Sequence, residues 1–154
     1  MTAVTLNSRT YRFVLMFTAV MAGWQIAHGL PEDAPLPLVA YTVGFGVLLL
    51  SCLWLTLMGL EVLHHPLVVV VAALVPLSFS LGLVGEYWPQ GMPVFLAFAV
   101  TGMIGIVYSR LGEVSRRLSV LIVALVHGVA GLVIVGVPVW VWGQSLARPG
   151  ILGI

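Results

Sequence analysis

Five long apolar stretches run along the chain, at about residues 11–30, 38–64, 66–85, 92–108 and 118–142. Short polar breaks separate them. A helix of about 20 apolar residues crosses a ~30 Å hydrocarbon core, and the first, second, third and fifth stretches reach that length. The fourth is the shortest and is expected to stand nearly upright. The pattern predicts an all-α fold: one transmembrane domain over residues 1–154, built as a five-helix bundle.

The breaks are as informative as the runs. Residues 31–37 carry Pro31, Pro35 and Pro37 with Glu32 and Asp33, which excludes a buried helix there. Pro66 disfavours helical geometry at His65, so the second helix is expected to end at the hinge Gly59-Leu60-Glu61-Val62-Leu63-His64-His65-Pro66. The third then starts at once, making a tight antiparallel hairpin. Glu86, Tyr87, Trp88 and Pro89 open the next loop, and Arg110, Glu113, Arg116 and Arg117 mark the last. Pro76 is expected to kink the third helix, with Ser78 and Ser80 near enough to bond the freed backbone.

Five spans place Arg9, Arg12, Arg110, Arg116 and Arg117 on one side, and Glu32, Asp33 and Glu86 on the other. The positive-inside rule then sets the N-terminus in the cytoplasm, or on the equivalent side of an organelle or thylakoid-type membrane, and the C-terminus outside. Arg148 in the tail is the exception. The first run is longer than a typical signal-peptide apolar region and is expected to remain as an uncleaved helix. Tyr87, Trp88, Trp140 and Trp142 suit the outer interface, Tyr11 and Tyr108 the inner one.

Composition agrees with the pattern. The chain is 61% hydrophobic and 7% charged, against roughly 25% charged in soluble domains. A net charge of +1 offers no basic field for nucleic acid. The one cysteine, Cys52, falls in an apolar run and reads as a small buried hydrophobe.

Helix contacts in lipid rely on small residues. Ala97, Thr101, Gly105 and Ser109 recur every four residues on the fourth helix; Ala124 and Gly128 do so on the fifth. On this reading Gly105 is a packing position and Ile106, on another face, a tolerant one.

Three groups can carry chemistry. Glu61, His64 and His65 stand at i, i+3 and i+4, which on a helix is one face. Carboxylate and imidazole there can ligate a metal ion, and Glu-x-x-His is similar to one half of the ferritin-like di-iron pattern. Every other acid falls in a loop, so a full di-iron site is not expected. The plainer reading is a helix end, where the macrodipole favours histidine. His127 lies roughly 15 Å into the fifth helix by helical rise. It can bind haem or a chlorophyll-type magnesium, or bond a neighbouring carbonyl or hydroxyl. His64 and His65 are about 9 Å shallower by the same measure, so they pair poorly with it in a bis-histidine site. His28 and Gln25 read as interfacial. Arg110, Arg116 and Arg117 can meet anionic headgroups or a partner, although topology alone explains them.

Three functions remain open. The first is an accessory subunit or assembly partner of a larger membrane complex of electron-transport type, held by other subunits or by copies of itself. The second is an electron-transfer protein that binds haem, pigment or metal through His127 with His64 or His65. The third is a small transporter or channel with Glu61 and His127 on its path. The first fits best, because little polar machinery is available: Thr56, Glu61, Ser78, Ser80, Thr101 and His127. Enzymatic activity is not expected.

Overall fold

The computed structural model describes residues 8–29, 35–59, 61, 65–112 and 114–147. Within them the chain is helical and has no strand. The helices are α1 (Ser8–His28), α2 (Pro35–Met58), α3 (Pro66–Tyr87), α4 (Met92–Leu111) and α5 (Arg116–Ala147). A 3-10 turn at Pro89–Gly91 links α3 to α4. Four segments are long and apolar enough to cross a membrane: Pro35–Met58, Pro66–Tyr87, Pro89–Leu111 and Arg116–Gln144. In hydrocarbon an apolar run must satisfy its own backbone, which makes it a helix.

Glycine decides two helix ends that proline was expected to decide. Gly59 takes φ +82° and its N–H donates to the Leu55 carbonyl at 2.9 Å. Only glycine enters that left-handed region without strain, so α2 stops at Met58 instead of continuing to residue 64. Gly29, just past the end of α1, has the same left-handed conformation at φ +73°. At the other end of the chain α5 outruns its apolar core, with 32 residues, about 48 Å by helical rise. Ser115 starts it, its Oγ accepting from the Leu118 N–H at 3.5 Å. Arg110 therefore sits in the last turn of α4, and Arg116 and Arg117 in the first turn of α5, instead of in a loop.

The middle helix, α3, is the hub. It packs on α2, α4 and α5; α4 and α5 also pack on each other, and α1 leans on α2 alone among the described residues. Ala73 and Leu77 of α3, Ala99 and Ile106 of α4, and Val126 and Ala130 of α5 form the core. Ile106 is completely buried, so its expected tolerance to change is corrected: it is a central core residue. The close approach of α4 to α5 is at Gly102, where an added Cβ would lie 3.0 Å from Val126. At Gly105 the nearest atom, of Ile122, is at an ordinary 3.4 Å.

The α2–α3 seam is tight at one end. A Cβ on Gly82 would lie 2.5 Å from the Tyr41 ring, and one on Gly44 3.2 Å from Phe79. Phe79 meets Phe45 edge-on, centroids 4.7 Å apart. The Tyr41 hydroxyl donates to a Glu86 carboxylate oxygen at 2.9 Å. Glu86, expected in a loop, belongs to the last turn of α3. Within α3, Ser80 donates to the carbonyls of Pro76 and Leu77, at 2.7 and 3.0 Å, so it answers backbone below the proline and not the Ala72 carbonyl.

Candidate functional site: the cleft at the α2–α3 turn

At its other end the same helix pair opens. Ser51, Trp54, Leu55 and Met58 of α2 face Leu67, Val68, Val71 and Ala72 of α3 across a cleft of about 970 Å³. Glu61, His65 and Pro66 line its mouth. A second hollow of about 530 Å³ continues along α2 past Val47, Leu50 and Leu57, sharing Ser51, Trp54, Met58 and Val71 with the first. Together they make one apolar groove with polar groups at one end.

Each wall follows from local sequence. Because Gly59 ends α2, the chain leaves the helix before Glu61, which lies exposed in a 3-10 turn. His65 is extended, with φ −76° and ψ 131°, as the residue before a proline must be. It caps α3: its Nδ1 accepts from the Leu67 N–H at 3.3 Å, and its carbonyl accepts from the Val68 N–H at 3.0 Å. Pro66 has no N–H to satisfy, so the first turn of α3 is closed by its own cap. An accepting Nδ1 places the proton of the neutral imidazole on Nε2, which is then a donor. Trp54 is held from within its own helix, its indole N–H donating to the Met58 sulfur at 2.6 Å.

This geometry corrects the predicted helix face. Glu61 and His65 flank a turn, and His65 caps the start of α3 instead of the end of α2. His64 lies outside the described residues. Among the described residues no group of three or more His, Cys, Asp or Glu side chains is placed to hold a metal ion.

His127 is half-buried in α5, and its Nδ1 donates to the Val123 carbonyl of its own helix at 3.1 Å. The ring thus bonds within α5 and not across to a neighbour, leaving the Nε2 lone pair as its acceptor or ligand. His65 stands at the start of α3, and His127 lies about 17 Å from the start of α5 by helical rise.

The other polar groups are used locally as well. Thr56 donates to Cys52 at 2.7 Å and Thr101 to Ala97 at 2.7 Å, both one turn back. His28 stacks on Trp24 at 3.6 Å and bonds the Trp24 carbonyl. Arg116 and Arg117 are exposed; the Arg110 Nε is buried without a hydrogen-bond partner among the described residues. Ala97, Thr101, Ala124 and Gly128 are all exposed.

The apolar walls of the cleft carry no signal of their own in the sequence. Trp54, Met58, Val68 and Val71 look like any lipid-facing residues along the chain, and only the positive-φ glycine signals that α2 ends early enough to open a gap. No protein-family model, curated protein or solved structure matches this chain.

Proposed function

We propose that the protein is an accessory subunit or assembly partner within a larger membrane complex, of electron-transport type, with α1 crossing as a fifth span. One observation carries the reading. Gly128, in the middle of α5, is exposed, and an added Cβ there would meet nothing within 4 Å. Ala124, one turn before it, is exposed as well. Small residues that bring backbones together in lipid are thus left unused by the bundle of described residues. The local hydrogen bonds of Thr56, Thr101 and His127 further support a structural role, since among the described residues they tie these polar groups to their own helices.

The orientation that fits has the α2–α3 turn and the Arg110–Arg117 segment on the cytoplasmic side, in a plasma, inner or thylakoid-type membrane.

Extraction in a mild detergent followed by a native mass measurement tests the reading. The wild-type chain is expected well above its 16.5 kDa monomer mass. Gly128→Leu is expected to reduce it to the monomer without lowering its thermal midpoint. A wild-type chain that runs as a monomer straight from the membrane contradicts the proposal.

A further inference from the structure

We infer that His127 is the axial ligand of a metal tetrapyrrole, a haem or a chlorophyll-type ring, seated flat against α5. This does not depend on the subunit reading.

The two ring nitrogens of His127 are placed differently. Nδ1 lies 3.1 Å from the Val123 carbonyl. A carbonyl only accepts, so Nδ1 carries the proton and Nε2 of the neutral ring is a lone pair. A carbonyl on the far nitrogen also orients an imidazole and raises its basicity toward a metal. Nε2 has no hydrogen bond among the described residues and is not sealed inside the bundle. By helical rise it stands about 17 Å from the start of α5, near the middle of a ~30 Å hydrocarbon core. Lipid offers a lone pair no donor there, and an unmet polar group is costly.

The surroundings select the kind of metal. A bare ion needs several protein donors, and among the described residues no group of three or more His, Cys, Asp or Glu is placed to supply them. A tetrapyrrole brings four nitrogens of its own and asks the protein for one axial ligand. It is flat and largely apolar, so it enters hydrocarbon readily. Its ring covers more than one helical turn, so it needs small side chains around the ligand. Ala124 and Gly131 supply them, three residues before His127 and four after, on its face of the helix. Ala124 is exposed, and a Cβ added to Gly131 would meet nothing within 4 Å. Val126 and Ala130 belong to the core. His127 thus stands at the rim of the packed face, with open space on its outward side.

Haemin, zinc protoporphyrin and metal-free protoporphyrin are titrated into the purified full chain in detergent, against protein-free micelles, and the Soret band is followed. The wild-type chain is expected to bind one metal porphyrin with a shifted Soret band, roughly tenfold more tightly than the metal-free ring, as even the outer partners of a metal ligand are worth about 10–100-fold. A preference for haemin marks a haem site and a preference for zinc a magnesium-type ring; either supports the proposal. His127→Gln is expected to lose the shift and the tenfold preference while keeping the thermal midpoint. Gly131→Leu, which fills the open space beside the ligand, is expected to weaken all three rings. No saturable shift with either metal ring overturns the proposal. So does equally tight binding of the metal-free ring by the wild-type chain, or an unchanged shift in His127→Gln. The comparison of rings on the wild-type chain decides the matter even if a variant fails to fold.

Discussion

Two residues set the local order of this bundle more than any charged group does. His65 closes the first turn of α3 through Nδ1, a role for which serine, threonine, asparagine and aspartate are the usual choices. His65→Ala is expected to cost about 1 kcal/mol, and His65→Asn to restore most of it, by thermal unfolding in detergent. Gly82 is the second. The Tyr41 ring lies where its side chain would be, so Gly82→Ala is expected to destabilise by about 1–3 kcal/mol through forced repacking. Gly46 of α2 has open space instead, and Gly46→Ala is expected to be neutral or to gain up to about 1 kcal/mol of helix propensity. Equal responses at the two glycines would contradict the α2–α3 seam.

Among the helices, α4 shows what a sequence discloses and what it hides. Its existence was legible in the apolar run that begins at Met92. Its packing face was not, because the run is apolar nearly all round and its small-residue stripe is misleading: Ala97 and Thr101 are exposed. The small residues suggested Gly105 as the contact; the tight approach is one turn earlier at Gly102, against Val126. Ile106→Ala is expected to cost about 2–5 kcal/mol, since Ile106 is the largest fully buried side chain among the described residues. Ile104→Ala, at an exposed position on the same helix, is expected to be mild in the same detergent melt. The candidate site was legible only at its mouth. Glu61 and His65 stand out as ionisable groups in an apolar setting, whereas their separation from a helix face required reading Gly59 as a C-terminal cap. The proline after them drew attention away from that glycine.

At the scale of the whole molecule, α3 holds the bundle while α1 and α5 leave broad apolar surface outward, as expected where lipid or another subunit is the solvent. The arginine distribution predicts which side each turn faces. Cysteines introduced near residues 33 and 90 should react with an impermeant reagent from outside, and one near residue 113 should not; reaction of all three from one side would contradict five spans. Whether α5 turns an unused helix-packing surface toward a partner can be read in intact membranes. A photo-crosslinking residue is placed at position 128 and, as a control, at position 57, where Leu57 is 82% exposed on α2. A discrete protein adduct at 128 with only lipid labelling at 57 is the predicted result. Lipid labelling alone at both positions would contradict the claim.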